Sequence, residues 1–356
     1  MRRGLLILLL LSMLFGLCAC GKEAPPAPQP PVTEEEPVYS EKLEPAVDTP
    51  APELPAEPEP EPAPAEPAAP ETPAEPEPEP APEPFVAPGK KKEVKNILLI
   101  GNSFSYYLVE ELYGVASAAG YEINVCNLYK SSCTVQEHWT WLTDKEAGKG
   151  RYGFWVTNKD GRTKVLTDTT IDEALAYADW DVITLQQHFS PSIAGNRRSA
   201  LDSCTPYVKN LFTYLKENFP KADLFWYETW AWDVGHGSIP SVGVQTNMYE
   251  NIRDASIQLA EENGVPMIPC GDAFQLARAN PVIGSSVCLA KDHAHDGDRE
   301  GGQYINACVF FEAIFGESCV GNTWRPPYAY AEERNVAMQQ VSHEAMLAVY
   351  GEDYFK

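Results

Sequence analysis

Ile97, Leu98, Leu99 and Ile100 form an unbroken aliphatic run, and a run without polar alternation reads as a strand buried on both faces. A sheet of such strands needs a layer of helices on each side, which restricts the chain to α/β architecture. The run ends in Gly101-Asn102-Ser103-Phe104-Ser105. Beyond it Phe104, Leu108, Leu112, Val115 and Ala119 recur at helical spacing up to Gly120, a helix stop. Ser103 therefore stands on a strand-to-helix turn, with two readings. Either its hydroxyl caps the helix, or it is a nucleophile at the carboxyl edge of the sheet, where open α/β folds bind ligands beside free helix N–H groups.

The alternation continues along the chain. Strands are expected over 123–128, 180–187, 223–227 and 265–269, and helices over 171–178, 204–219, 248–263, 272–279 and 302–315, with Pro220 closing the second of these helices. The segments 152–157 and 162–166 flank Asn158-Lys159-Asp160-Gly161, a hairpin signal expected to lie as an insertion outside the parallel sheet. The expectation is a three-layer αβα sandwich with a doubly wound parallel sheet of about five strands.

The N-terminal part cannot belong to that core. Met1-Arg2-Arg3 precedes an apolar run, Leu5 to Leu17, which has the form of an export signal and is too short for a comfortable membrane span. It ends in Leu17-Cys18-Ala19-Cys20-Gly21, similar to the lipobox of bacterial lipoproteins, and the resemblance makes Cys20 the lipidated residue and the protein extracytoplasmic and lipid-anchored. Residues 21–88 hold 23 of the 32 prolines, and 21–84 carry 17 acidic against 2 basic residues. Such a stretch favours extended, solvated backbone and spans roughly 200 Å at about 3.1 Å per residue. The expected organisation is thus a signal peptide over 1–20, a tether over 21–92 and one domain over 93–356. With +2 in the leader and −15 in the tether, about −11 of the net charge of −24 falls in the domain, which excludes the basic surface a nucleic-acid partner requires. The domain's seven cysteines (126, 133, 204, 270, 288, 308 and 319) are odd in number and irregular in spacing, which speaks against a disulfide framework or a zinc ribbon and leaves one or two disulfides open.

Just before the expected helix 302–315 stands Lys291-Asp292-His293-Ala294-His295-Asp296. Asp292 and His295 are three apart, so on a turn the carboxylate can accept the imidazole Nδ1 proton and leave Nε2 as a base. A solvated charged loop is the alternative for this pair alone. Together, Gly101-Asn102-Ser103-Phe104-Ser105, a strand ending Leu185-Gln186, and Asp292-x-x-His295 followed by Gly302-x-Tyr304 resemble the SGNH (GDSL-like) hydrolase superfamily, in particular a branch with a Gly-Asn-Ser-Phe start. The likeness runs from about Asn96 to Gly316.

That resemblance implies a flavodoxin-like fold and a serine esterase needing no cofactor. Ser103 is then the nucleophile, His295 its base and Asp292 the orienting acid. The oxyanion donors are the N–H of Ser103, the N–H of Ser132 where the family has glycine, and the side chain of Gln186 where it has asparagine. Ser132 keeps its N–H in place provided the loop does not require a positive φ. Asn102, Gln187 and Trp230 are expected at the substrate, with Trp230 and Trp232 as a sugar-stacking wall; His138 and His188 lie in strand-end loops within reach of it. The expected partner is an O-acylated glycan or small ester; the oligomeric state is open. Two other readings stand beside this one: a catalytically weak glycan-binding lipoprotein, and a metal-dependent hydrolase using His293 and His295.

Overall fold

The computed structural model describes residues 93–284, 292–297, 301–327 and 331–355. The signal peptide, Cys20, the tether and Cys288 lie outside the described residues. In chain order the elements are β1 (Asn96–Gly101), α1 (Val109–Ala118), β2 (Asn124–Tyr129), α2 (Val135–Thr143), β3 (Tyr152–Asn158), β4 (Gly161–Thr169), α3 (Ile171–Leu175), β5 (Val182–Gln186), α4 (Arg197–Cys204), α5 (Tyr207–Asn218), β6 (Asp223–Glu228), α6 (Val242–Asn263), β7 (Met267–Pro269), α7 (Cys270–Ala279), α8 (Gly302–Phe315) and α9 (Glu332–Tyr350).

The strands make one sheet in the order β4-β3-β2-β1-β5-β6-β7. The five from β2 to β7 are parallel. Successive residues of β1 point to opposite faces: Ile97 and Leu99 join a core with α1, α7, α8 and α9, while Leu98 and Ile100 join a second core with α2 to α6. This is the three-layer arrangement that a doubly buried strand demands. The order of the parallel strands reverses between β1 and β5, and the crevice at such a switch point, past the carboxyl ends of the strands, is where open α/β sheets bind ligands.

Several expectations need correction. The hairpin is not outside the sheet: β3 pairs antiparallel with β2, bringing the sheet to seven strands. Its outer strand β4 is mostly exposed and carries Arg162 and Lys164, charges that suit an edge. The helix expected over 204–219 is α5, which starts only at Tyr207 because Pro206 lacks an N–H and disfavours helical backbone in the residue before it, and a separate, unexpected helix α4 ends at Cys204. Helix α6 starts six residues early, where the Ser241 hydroxyl caps it by accepting from the Val244 N–H.

Helix α8 is buried along all 14 residues, packed between α1, α7 and α9. The six described cysteines are buried and free of disulfides. Among the described residues no helix is long and apolar enough to cross a membrane.

Candidate active site

The turn after β1 settles which residue caps. Asn102, fully buried, accepts the Phe104 N–H on its Oδ1 at 3.0 Å and so caps the short 3₁₀ turn Ser103–Ser105. The Ser103 hydroxyl is left for other work, and it lies 2.8 Å from His295 Nε2. Asn102 also joins three strand ends. Its Nδ2 donates to the Cys133 carbonyl at 2.8 Å beyond β2, and its Oδ1 accepts Gln186 Nε2 at 2.8 Å from the end of β5. A Cβ at Gly101 would stand 2.5 Å from Gln186 Nε2 and 2.6 Å from Ser105 Oγ, so any larger residue there would have to displace the Gln186 side chain from this crossing.

The histidine comes from the loop before α8. The two oxygens of Asp292 divide their work: Oδ1 accepts the N–H groups of Ala294 and His295, shaping the turn, and Oδ2 meets His295 Nδ1 at 2.5 Å. Partial burial alone would raise the Asp292 pKa, but the bonds from His295 and Ala294 and the imidazole's charge outweigh it and hold the carboxyl below the usual carboxylate range. Distant elements hold the loop down. Trp230 Nε1 donates to the Ala294 carbonyl at 2.9 Å, the Asp233 N–H donates to the His293 carbonyl at 2.9 Å, and Asn306 of α8 donates to Asp296 Oδ2 at 2.7 Å. Asp296 is buried, and burial pushes its carboxyl up to about 7 against the bond from Asn306.

The structure thus brings Ser103, His295 and Asp292 into one chain of contacts, an arrangement able to draw the hydroxyl proton onto Nε2 while the carboxylate steadies the imidazole. The other expected residues fare differently. Gln186 and Gln187 are each 1% exposed. The Gln186 amide is spent on Asn102, and Gln187 Oε1 accepts the Val135 N–H, so neither faces a ligand. Asn102 is a structural hub with no surface for substrate.

Trp230 is not a stacking wall. It is fully buried, stacked between Phe104 and Phe274, and serves the loop through its indole N–H. Trp232 is half-buried, edge-on to His236. The condition set for Ser132 is not met, since the loop holds it at φ 54°, in the left-handed region; the serine takes that backbone all the same, at a cost on the order of 1 kcal/mol that glycine would avoid, and so its N–H keeps the place a glycine's would have. His138 is buried against Tyr152 and Cys133, and burial lowers it to about 3, so it is a neutral core residue. His188 is the exception: it is only partly buried and touches Asn102. His293 lies 4.0 Å from Asp233, and among the described residues no group of three or more His, Cys, Asp or Glu side chains converges as a metal site requires.

Beside the Ser103–His295 pair opens a cleft of about 510 Å³ lined by Tyr106, Tyr107, Glu110, Arg162 and Trp324. Tyr107 links the two, its ring edge-on to His295 at 6.2 Å. The Arg162 guanidinium lies over Tyr106 at 3.7 Å and beside Trp155 at 5.2 Å. Sequence patterns missed this surface, because it forms only when the hairpin packs beside the turn after Ser103.

Residues 96–345 match a family described as "Domain of unknown function (DUF4886)". Among solved structures, the chain is similar to a DUF4886 family protein from Bacteroides uniformis, at 28% identity and a TM-score of 0.62, over 71% of this chain and 95% of that one. It is also similar to a lipase/acylhydrolase from Enterococcus faecalis (15% identity, TM-score 0.39, 62% of this chain and 96% of that one). A third likeness is to a variant of an acetyl xylan esterase from Geobacillus stearothermophilus (15%, 0.40, 62% and 95%). No curated protein matches the chain.

Proposed function

The chain belongs to the DUF4886 family, and we propose that it is a serine esterase of the SGNH type that removes O-acetyl groups from extracellular polysaccharide or glycoconjugate, held at the cell surface through lipidated Cys20. One observation carries the esterase reading: Ser103 Oγ stands 2.8 Å from His295 Nε2, whose Nδ1 meets Asp292 at 2.5 Å. In the reaction Ser103 Oγ attacks the ester carbonyl carbon as His295 takes its proton. The tetrahedral oxyanion is stabilised by the N–H groups of Ser103 and Ser132. Collapse breaks the carbonyl–alkoxide bond, His295 protonates the departing alkoxide to the alcohol, and water deprotonated by the same base releases the acid from the acyl-serine. Asp292 holds the imidazole throughout.

The glycan reading rests on the export signal, the Pro- and Glu-rich tether and the aromatic, arginine-bearing cleft next to the triad. A fluorophosphonate probe tests the esterase. Covalent labelling of the wild type that disappears in Ser103→Ala supports it, and an unlabelled wild type that hydrolyses p-nitrophenyl acetate no faster than buffer sinks it. Release of acetate from acetylated oligosaccharides faster than from p-nitrophenyl acetate supports the glycan as substrate. Loss of membrane fractionation in Cys20→Ala tests the anchor.

A further inference from the structure

We propose that His188 supplies the side-chain donor of the oxyanion hole, its Nε2–H meeting the oxygen that turns negative when Ser103 attacks an ester. The proposal rests on the esterase reading and assigns a role that Gln186 was expected to fill. Gln186 cannot fill it, because its amide is buried and donates to Asn102 Oδ1. Gln187 is likewise spent on the Val135 N–H. His188, next along the same strand end, is the first of these side chains with open surface.

The tautomer follows from the hydrogen bonds. A backbone N–H, that of Phe104, donates to Asn102 Oδ1, which fixes that atom as the carbonyl oxygen and the other as the amide nitrogen. The nitrogen donates to the Cys133 carbonyl and lies 3.3 Å from His188 Nδ1. An amide nitrogen only donates, so Nδ1 must present its lone pair, and a neutral imidazole with a bare Nδ1 carries its proton on Nε2. Burial, with the nearby His295, lowers the His188 pKa and favours that neutral form.

Gln186, Asn102 and His188 then form a relay, each donating to the next, and such chains strengthen the terminal donor. That donor sits in the right neighbourhood. The Phe104 ring, one residue after Ser103, is flanked by His295 at 5.5 Å and by His188 at 6.0 Å between ring centroids. The two imidazoles thereby take separate duties: His295 moves the proton, and His188, with its Nδ1 engaged, gives a fixed hydrogen bond.

The test is a crystal structure of the wild type after fluorophosphonate labelling, together with kinetics of two variants. A phosphonyl oxygen within hydrogen-bond reach of His188 Nε2 is expected; an oxygen turned away from His188 overturns the assignment while leaving Ser103 as nucleophile. In His188→Ala, kcat for p-nitrophenyl acetate is expected to fall on the order of 10²–10³-fold with little change in KM. His188→Asn, whose amide can donate, is expected to recover part of that loss with an unchanged melting temperature. Wild-type kcat in His188→Ala overturns the proposal. A wild type that neither labels nor turns over ester removes the esterase reading and this donor with it.

Discussion

The two halves of the site are built in opposite ways. The Ser103 turn is made locally: a buried strand runs into Asn102, which caps the turn from one residue away and ties it to the neighbouring strand ends. The loop from Asp292 to Gly297 is shaped by its own Asp292 turn and pinned from two distant segments, by Trp230 and Asp233 of the loop after β6 and by Asn306 of α8. Ser103 is therefore expected to hold its position through changes elsewhere, and His295 to depend on the whole fold. On the esterase reading, activity is then set by how well that loop is held.

The sharpest break in that contrast is Ser103→Ala. Turnover should fall by at least about 10⁴-fold, while the melting temperature stays put, because Asn102 and not Ser103 does the capping. A drop in melting temperature would show that Ser103 is structural. Asp292→Asn should slow kcat by about 10²–10⁴-fold, read with p-nitrophenyl acetate, and should also loosen the loop, since the same side chain makes its turn.

Trp230→Ala removes a fully buried aromatic and should cost about 3–5 kcal/mol in denaturant unfolding. Trp230→Phe keeps the ring stack and loses one hydrogen bond, so it should cost only about 1 kcal/mol and yet lower kcat by freeing the loop. Equal kcat in Trp230→Phe and wild type would mean that the loop does not need its distant ties.

The smallest effect concerns Asp296. Its native pKa of about 7 stands above the value of about 3.9 in an unfolded chain. Between those values the folded state holds a proton that the unfolded state has lost. This contribution is complete at the acid end and is lost as pH rises through 7, by a few kcal/mol at most. Melting curves from pH 5 to 8 should show that decline in the wild type and a flatter profile in Asp296→Asn. An identical slope in both would remove Asp296 from the account.

Much of this was legible in the residues. The unbroken run 97–100, the Asn-Asp-Gly-containing hairpin and the helical spacing of Tyr304, Ala307, Cys308, Phe311 and Phe315 each announced its element, because local pattern and burial agree there. Helix α9 went unread, since Asn335, Gln339 and Ser342 are buried among its apolar positions and blur the stripe. Two of them find partners from elsewhere in the fold, Gln339 donating to the Asn322 carbonyl and Ser342 to the Ile305 carbonyl of α8.

The sequence by itself determined that the domain is α/β, that Ser103 sits on a strand-end turn, and that Asp292 can orient His295, because each follows from neighbours a few residues apart. Only the tertiary structure decided that the serine and the histidine, 192 positions apart, meet. It also decided that Trp230 props the loop rather than facing a sugar, and that Gln186 turns inward while His188 stays partly exposed. The reason is physical: a polar or aromatic side chain at a strand end takes whichever partner the packing brings within about 3 Å, and partners from other strands and loops exist only once the sheet is assembled.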